Sequence, residues 1–184
     1  MAEKIVTPKA TLNYPALFAP KLNDKGEEVY SCCLVFNSDT DLGPLTEAAH
    51  AVGREKFNDW DKGFKAKKYH WPFRADGESK GYPPGSIFIN VRSTFKPGVV
   101  DRFKDAETGK PVKIHGDQAQ LVYAGCQVRA QLSPFAFDSN GKKGVSFGLV
   151  NLQKLGEGPR LDGRVAPEDA FEALEDPETD EIPF

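Results

Sequence analysis

The residues best suited to chemistry lie in one stretch, 54–74, with the sequence REKFNDWDKGFKAKKYHWPFR. Seven of its residues are Lys or Arg and six are aromatic. Cations neutralise phosphate groups, and flat rings stack on unpaired bases of any identity. The mixture therefore predicts a surface that binds single-stranded nucleic acid.

The six rings of this stretch divide into two groups. We expect Phe57, Trp60 and Phe64 to be core anchors, because aromatic side chains commonly fill protein cores. The other three rings lie in a helix-poor segment beside lysines, and we expect them to stack on bases. The binding residues predicted here are Lys65, Lys67, Lys68, Tyr69, Trp71, Phe73 and Arg74.

Strand-like alternation places further candidates on outward faces. In SIFINVRSTF, residues 86–95, the apolar odd-numbered positions share one face, so that Phe88 and Arg92 share the other. In YAGCQVRAQL, residues 123–132, the same pattern puts Val128 inward and Arg129 outward. With the neighbouring loops and a hairpin tip, the outward candidates are Phe88, Arg92, Lys96, Arg102, Lys104, Arg129, Lys142 and Lys143.

Charge is divided unevenly along the chain. Residues 165–184 contain eight of the 27 acidic residues and none of the 24 basic ones, which leaves a body of net charge +5 and a tail of −8. A basic body indicates a polyanionic partner, and an acidic tail on the same chain is an internal competitor for that site.

The tail ends in apolar residues, which a plain solvating tail does not explain. The sequence DPETDEIPF closes on Ile182, Pro183 and Phe184. A terminal Phe ring with its α-carboxylate can enter an apolar pocket with a basic rim, and Pro183 lowers the cost of ordering the tip. We therefore expect the tip to dock on a partner protein.

The elements that must position these residues are mostly strands. The one convincing helix spans 41–60, where Leu45, Ala49 and Val52 recur at helical spacing. Several strands, long loops and a hairpin turning at Asn140-Gly141 predict a small, partly closed β-barrel such as an OB-fold, with a β-sandwich as the alternative. We expect this domain to occupy residues 1–160 and a flexible, disordered acidic tail to occupy 161–184.

Sites for enzymatic or metal chemistry are not indicated. The three histidines are far apart, the cysteines lack C-x-x-C spacing, and no nucleotide-phosphate loop or nucleophilic serine motif is present. We expect no cofactor, no metal and no catalytic residue. The odd number of cysteines predicts a reducing compartment, with Cys32, Cys33 and Cys126 at buried apolar positions. The absence of a long apolar stretch predicts a cytoplasmic protein without a membrane partner.

Two resemblances sharpen this interpretation. The tip resembles the C-terminus of bacterial single-stranded DNA-binding proteins at Asp180, Glu181, Ile182, Pro183 and Phe184. Over about residues 7–155, TLNYPALFAPK, YSCCLVF, KPGVVD, YAGCQVRA and KKGVSFGLVNLQ resemble a family of tailed-bacteriophage single-stranded DNA-binding replication proteins.

The phage resemblance implies an OB-fold that coats unpaired DNA during replication and recombination in an infected bacterial host. It also implies that the tail docks replication proteins, namely a polymerase, a helicase or primase, or a recombinase. The body does not resemble the domain of the bacterial proteins, so their tetramer is not implied. We leave the oligomeric state open, with a monomer or dimer favoured over a tetramer.

The leading hypothesis is a non-enzymatic protein that binds single-stranded DNA without sequence preference, through phosphate neutralisation and base stacking. Two other classes stay open. One is a protein-interaction adaptor built on a β-barrel, and the other, less favoured, is a metal-dependent nuclease. The leading hypothesis predicts that the affinity for DNA falls steeply with salt.

Overall fold

A computed structural model describes residues 3–165 and 167–174, so the predicted docking residues Asp180 to Phe184 lie outside the described residues. Eight strands dominate. They are β1 Ile5–Val6, β2 Ala10–Leu22, β3 Glu28–Phe36, β4 Ile87–Ser93, β5 Gly98–Lys104, β6 Pro111–Lys113, β7 Gln127–Ser139 and β8 Lys142–Gly156. The α-helices are α1 Gly43–Lys56, α2 Trp60–Lys65 and α3 Pro167–Ala170, with 3₁₀ turns at Gly77–Lys80 and Gly116–Leu121.

Five of the strands close into a ring. The pairing order runs β2, β3, β4, β8, β7 and back to β2, with β4 parallel to β8 and every other pair in the ring antiparallel. This order and the single parallel pair are those of an OB-fold barrel. The predicted mostly β fold of OB type is confirmed, and the sandwich alternative is wrong.

The barrel interior is built by the predicted alternation. Leu34 of β3, Ile89 of β4, Val128 of β7 and Phe147 of β8 are each at most 1% exposed and belong to one apolar cluster. Because every second side chain of a strand points inward, the intervening residues form the outer face. Cys32, Cys33 and Cys126 are free and buried, as expected from their types.

The predicted helix is present but ends earlier than expected. Helix α1 stops at Lys56, and the extended backbone of Phe57 separates it from α2. Pro44 occupies the first turn, and Asp41 Oδ1 accepts a 2.9 Å hydrogen bond from the Gly43 N–H. Helix α1 packs on β7 and β8 through an apolar face that includes Leu45 and Ala49, which covers one end of the barrel.

The segment 70–74 fills a gap in the ring. Strands β4 and β8 pair directly only at Arg92 and Gly148, and beyond that point the segment lies between them. His70 bridges to Gly144 of β8, and Arg74 exchanges hydrogen bonds of 3.0 and 2.9 Å with Phe88 of β4. A Cβ on Gly144 would lie 2.4 Å from the His70 carbonyl oxygen, so this close approach requires glycine. Part of the aromatic and basic stretch is thus a structural piece of the barrel.

The chain returns to the barrel after β8. The Leu161 N–H donates to the Ala124 carbonyl at 2.9 Å, and the Arg160 guanidinium carbon lies 4.4 Å from the centre of the Tyr123 ring. Gly125 has φ +114°, and the Pro159 carbonyl oxygen occupies the space of a Cβ there. Backbone contacts with the barrel therefore extend to Leu161. The boundary between domain and tail at residue 160 stays a prediction. Within the described residues, no helix is long and apolar enough to cross a membrane.

Candidate nucleic-acid interface

The outer face of the barrel carries a row of small residues centred on Arg92. Strand register aligns Ser31 of β3, Arg92 of β4, Gly148 of β8 and Ser133 of β7 in one row. Each has at least one strand neighbour in the core, and these neighbours are Cys32, Val91, Leu132, Phe147 and Leu149, so the row faces outward. With strands about 4.8 Å apart, the row spans roughly 14 Å. We call this row the OB strip.

Arg92 is well placed to meet a phosphate. Its side chain is exposed, and the other members of the OB strip are too small to cover it. Asn90, two residues earlier on β4, is also exposed on the outer face. The OB strip therefore offers a shallow floor with a central cation, which suits an extended polyanion.

Phe88 is not exposed, which corrects the sequence prediction. Its ring is only 2% exposed and forms an outer cluster with Cys33, Val35 and Tyr82. The chain at 77–86 covers this part of the outer face, and a period-2 pattern cannot reveal such a cover. Phe88 therefore lies beneath the surface and cannot stack on a base.

Two cations lie over the Phe88 ring. The guanidinium carbon of Arg74 is 5.1 Å from the ring centre, and Nζ of Lys80 is 5.7 Å from it. Arg74 also pairs with Asp76 at 2.7 Å, which lowers the pKa of that carboxyl. Both cations thus sit one pleat from Asn90, at the edge of the OB strip. The sequence predicted Arg74 as a binding residue and gave no indication of Lys80.

Tyr69 is part of the core, which also corrects the prediction. It is 7% exposed, and its ring stacks on Phe57 and Trp60 with centre distances of 4.6 and 4.9 Å. Its hydroxyl donates a hydrogen bond to Asp59, which raises the pKa of Tyr69 and lowers that of Asp59. The expectation that Phe57 and Trp60 are core anchors is confirmed, and Tyr69 joins them.

Trp71 and Phe73 are half-buried. The Trp71 ring packs against His50 and Phe64 at 4.7 and 4.8 Å, and the Phe73 ring meets Phe147 edge-on at 5.7 Å. Both rings belong to the margin of the core cluster. Their role in stacking stays a prediction, and only part of each ring is accessible for it.

The β7–β8 hairpin brings more cations to the same side. Its tip turns at Asn140 and Gly141, as predicted, with positive φ at both residues. Lys142 and Lys143 are exposed, and Lys143 lies 3.8 Å from Asp138. The pKa of His70 is lowered, chiefly by partial burial and then by the charges of Lys142 and Arg74. Lys142 at the tip and Arg74 thus both lie near His70 and make this region electropositive.

Two exposed aromatics flank the OB strip, and sequence reasoning missed both. Phe135 of β7 is 41% exposed and lies opposite Ser146, one pleat from the Ser133–Gly148 pair. Tyr14 of β2 is 65% exposed at a bulge between two residues that pair with Cys33 and Ser31 of β3. In the sequence, the position of Tyr14 before Pro15 indicated only an irregular strand. An aromatic ring therefore stands near each end of the OB strip.

Other predicted residues lie apart from the OB strip. Lys65, Lys67 and Lys68 are exposed around the end of α2, where Lys68 pairs with Asp59 at 2.9 Å. Lys96 lies in the loop after β4, beside Phe95. The remaining three, Arg102, Lys104 and Arg129, lie on or beside the outer face of β5, β7 and β8.

That second face is separated from the OB strip along β8. Arg129 Nε donates to Gln153 Oε1 at 2.7 Å, and Arg102 Nη1 donates to the Leu155 carbonyl at 3.3 Å. Gln153 is five residues beyond Gly148, or roughly 16 Å along an extended strand. Within residues 3–165 and 167–174, no cluster of three or more His, Cys, Asp or Glu side chains could hold a metal ion.

Comparison with known proteins decides the family. The family model described as "Enterobacter phage Enc34, ssDNA-binding protein" matches residues 3–182 of this chain. The chain belongs to this family of phage single-stranded DNA-binding proteins. The resemblance read from the sequence motifs is thereby confirmed.

Individual relatives agree with this family. The chain is 30% identical over 193 residues to "Putative protein p50" of Acyrthosiphon pisum secondary endosymbiont phage 1, covering 97% of this chain and 98% of the relative. The single-stranded DNA-binding protein from bacteriophage Enc34 shares 19% identity at a TM-score of 0.66, with 92% and 90% of the two chains covered. A structure of that protein in complex with single-stranded DNA has a TM-score of 0.66, with 18% identity and coverage of 86% and 89%.

A more distant structure shares the fold. It is gp2.5, a single-stranded DNA-binding protein encoded by bacteriophage T7, with 13% identity, a TM-score of 0.60 and coverage of 91% of this chain and 100% of that one. At this identity the likeness concerns the fold. It supports the OB-type ring described above.

Proposed function

We propose that this protein binds single-stranded DNA along the OB strip without sequence preference. The observation that carries the proposal is the position of Arg92 in a row of small residues between two exposed aromatics, with Arg74 and Lys80 over Phe88 four residues earlier on the same strand. Cations spaced along a shallow groove neutralise phosphates, and exposed rings stack on bases of any identity. Membership of the family supports the same function, and its description names binding and no catalytic activity.

The strand path follows from this arrangement. The DNA enters near the hairpin tip with Lys142 and Phe135, crosses β8 and β4 at Arg92, and leaves over β3 toward Tyr14. The small residues of the OB strip let the backbone approach Arg92. Duplex DNA is disfavoured because its bases are paired and stacked, so that the flanking rings have no free base to contact.

A binding titration tests the proposal. Fluorescence anisotropy of a labelled oligo-dT should report saturable binding that weakens steeply with salt, with a logarithmic slope of about 0.7 per phosphate contact. Oligo-dA and oligo-dC of the same length should bind with similar affinity, and the matching duplex more weakly. Binding that is absent, or that does not change between low and high salt, would remove the electrostatic basis of the function.

The acidic tail completes the proposed function. Its eight carboxylates oppose a body of net charge +5, so the tail competes with DNA when the groove is empty. Its Ile-Pro-Phe tip recruits replication proteins, such as a polymerase, helicase, primase or recombinase, to DNA coated by this protein. The setting is phage replication, recombination and repair in the cytoplasm of an infected bacterial host, and the active unit is a monomer or dimer.

A further inference from the structure

A cavity of about 470 Å³ opens beside the OB strip. It lies where the bulge of β2, the end of the 77–80 turn and the chain returning from β8 meet. The residues that matter for its chemistry are Tyr14, Lys21, Lys80, Tyr82, Leu161 and Asp162. Its volume falls in the range of cavities that hold small organic ligands, about 300–1,000 Å³.

Tyr14 is held at this cavity in a strained conformation. Its φ of +45° lies in the left-handed region, which is costly for a residue with a bulky side chain. Asn13 fixes the geometry, because its Oδ1 accepts the Tyr14 N–H at 2.9 Å and its Nδ2 donates to the Tyr82 hydroxyl at 2.7 Å. Yet the Tyr14 ring is 65% exposed, so packing of the ring offsets little of the strain energy. Strain of this kind is concentrated at binding sites.

The cavity floor and rim supply complementary groups. Tyr82 is 8% exposed, and burial raises its pKa to about 12, so the floor is a neutral, fixed ring. Lys21 and Lys80 are exposed, and neither forms an ion pair with another residue of the described part of the chain. Neither ammonium group is neutralised by a carboxylate there, although Lys80 also lies over the Phe88 ring, and together with two aromatic rings they suit a ligand that combines a phosphate with a flat base.

The remaining wall is the root of the acidic tail. The Leu161 N–H is bonded to the barrel at Ala124, while its side chain is 47% exposed at the cavity. Asp162 lies 3.7 Å from Arg160, so its charge is offset locally. Arg160 in turn lies over Tyr123, which anchors the returning chain. The wall therefore adds an apolar surface without a net negative charge.

We propose that this cavity takes one nucleotide of the bound strand. Its base stacks on Tyr14 and contacts Leu161, and its phosphate lies between Lys21 and Lys80. This inference rests on the proposed function, since it places the end of the DNA path beyond the OB strip. It makes the root of the tail, at Leu161 and Asp162, a part of the DNA site, separate from the acidic run that begins at Glu168.

Substitution of Tyr14 gives the first test. With labelled oligo-dT, Tyr14→Ala should weaken binding between about 5-fold and 150-fold, the value of one stacked base, while Tyr14→Phe keeps wild-type affinity. Phe103→Ala, which removes another exposed ring outside the cavity, should have no effect. Lys21→Ala and Lys80→Ala should each lower the salt slope by about 0.7, and the exposed Lys110→Ala should not.

Photo-cross-linking of the wild-type protein gives a second test. Wild-type protein is irradiated with oligo-dT carrying a single 5-iodouracil at successive positions, and cross-linked residues are identified by mass spectrometry. Cross-links to Tyr14 from one or two adjacent positions support the proposal. Free thymidine monophosphate is titrated in parallel, and Tyr14-dependent binding of the mononucleotide without any effect of Tyr14→Ala on the oligomer would overturn it.

The cavity proposal and the proposed function predict different patterns of binding loss. If the wild type binds oligo-dT and Arg92→Ala weakens it, but Tyr14→Ala binds normally and the cross-links lie elsewhere, the cavity proposal is wrong and the proposed function stands. If the wild type binds no single-stranded DNA, both are wrong. Circular dichroism and thermal unfolding of Tyr14→Ala verify that a loss of binding is not a loss of fold.

Discussion

The guanidinium group of Arg74 lies over the ring of Phe88, 5.1 Å from its centre, and Lys80 lies over the same ring at 5.7 Å. One buried aromatic thus supports two surface cations. Cation–π contacts of this kind are individually modest, but they fix long side chains that otherwise sample many rotamers. We therefore expect Phe88 to act in DNA binding by positioning these cations and not by contact with a base.

The Phe88→Leu variant should distinguish two roles of the Phe88 ring, which are to support the two cations and to pack in the outer cluster. A Leu side chain keeps much of the apolar contact with Cys33 and Val35, so we expect the free energy of unfolding to fall by about 1.5 kcal/mol or less. Affinity for oligo-dT should fall by about 2- to 5-fold, because Arg74 and Lys80 lose the ring beneath them. Urea unfolding and anisotropy titrations measure the two effects.

The control for this prediction is Phe88→Ala. It should lower the free energy of unfolding by about 3–5 kcal/mol through the cavity that it leaves. If Phe88→Leu instead bound DNA as tightly as the wild type, the ring would have a packing role only.

Arg92→Ala and Arg129→Ala form a matched pair on two outer faces. Arg92 lies in the OB strip, whereas Arg129 is bonded to Gln153 on the face formed with β5. Arg92→Ala should weaken binding to oligo-dT, oligo-dA and oligo-dC alike and lower the salt slope by about 0.7. Arg129→Ala should leave the slope unchanged. The reverse result in salt titrations would move the DNA path to the second face.

The sequence predicts the barrel well because its alternation is strong. Ile89, Val128 and Phe147 all point inward as the period-2 pattern requires, and Asn140-Gly141 turns the hairpin. The outer face is harder to predict, since alternation shows only which side chains leave the barrel interior. The Phe88 side chain points away from the barrel interior, but Tyr82 from a distant loop covers it.

The site residues were predicted only in part for a similar physical reason. Composition marks 54–74 as a binding surface, but tertiary packing uses Tyr69 for the core and 70–74 to fill the gap between β4 and β8. Tyr14 carried no compositional signal, because it is an isolated aromatic in a strand. Only its positive φ and exposure, which depend on the folded chain, set it apart.

Gly144→Ala and Gly148→Ala test the closure of the ring. A Cβ at Gly144 would meet the His70 carbonyl oxygen at 2.4 Å, whereas at Gly148 the nearest atom is 3.7 Å away. We therefore expect Gly144→Ala to lower the free energy of unfolding by about 1–3 kcal/mol and Gly148→Ala to change it little. Equal stability of the two variants in urea unfolding would mean that the 70–74 segment can move away without cost.

The tail has two expected effects, competition with DNA and binding of a partner protein. Substitutions can separate them, because the sequence assigns them to different residues. Phe184→Ala keeps every carboxylate, so oligo-dT affinity should equal that of the wild type while binding to a replication partner is lost. The reciprocal variant replaces Asp176, Glu178, Asp180 and Glu181 by their amides and keeps Phe184. It should bind DNA more tightly at low salt, because four competing charges are removed, and the gain should vanish as salt screens them.

Deletion of residues 176–184 combines both changes and should show tighter DNA binding together with loss of the partner. Anisotropy measures the DNA side, and biolayer interferometry with the phage or host polymerase, primase–helicase or recombinase measures the partner side. Weaker DNA binding after this deletion would place the acidic tip inside the DNA site, which its charge argues against. Retention of the partner by Phe184→Ala would show that the acids alone are recognised, because the ring is then absent while the charges remain.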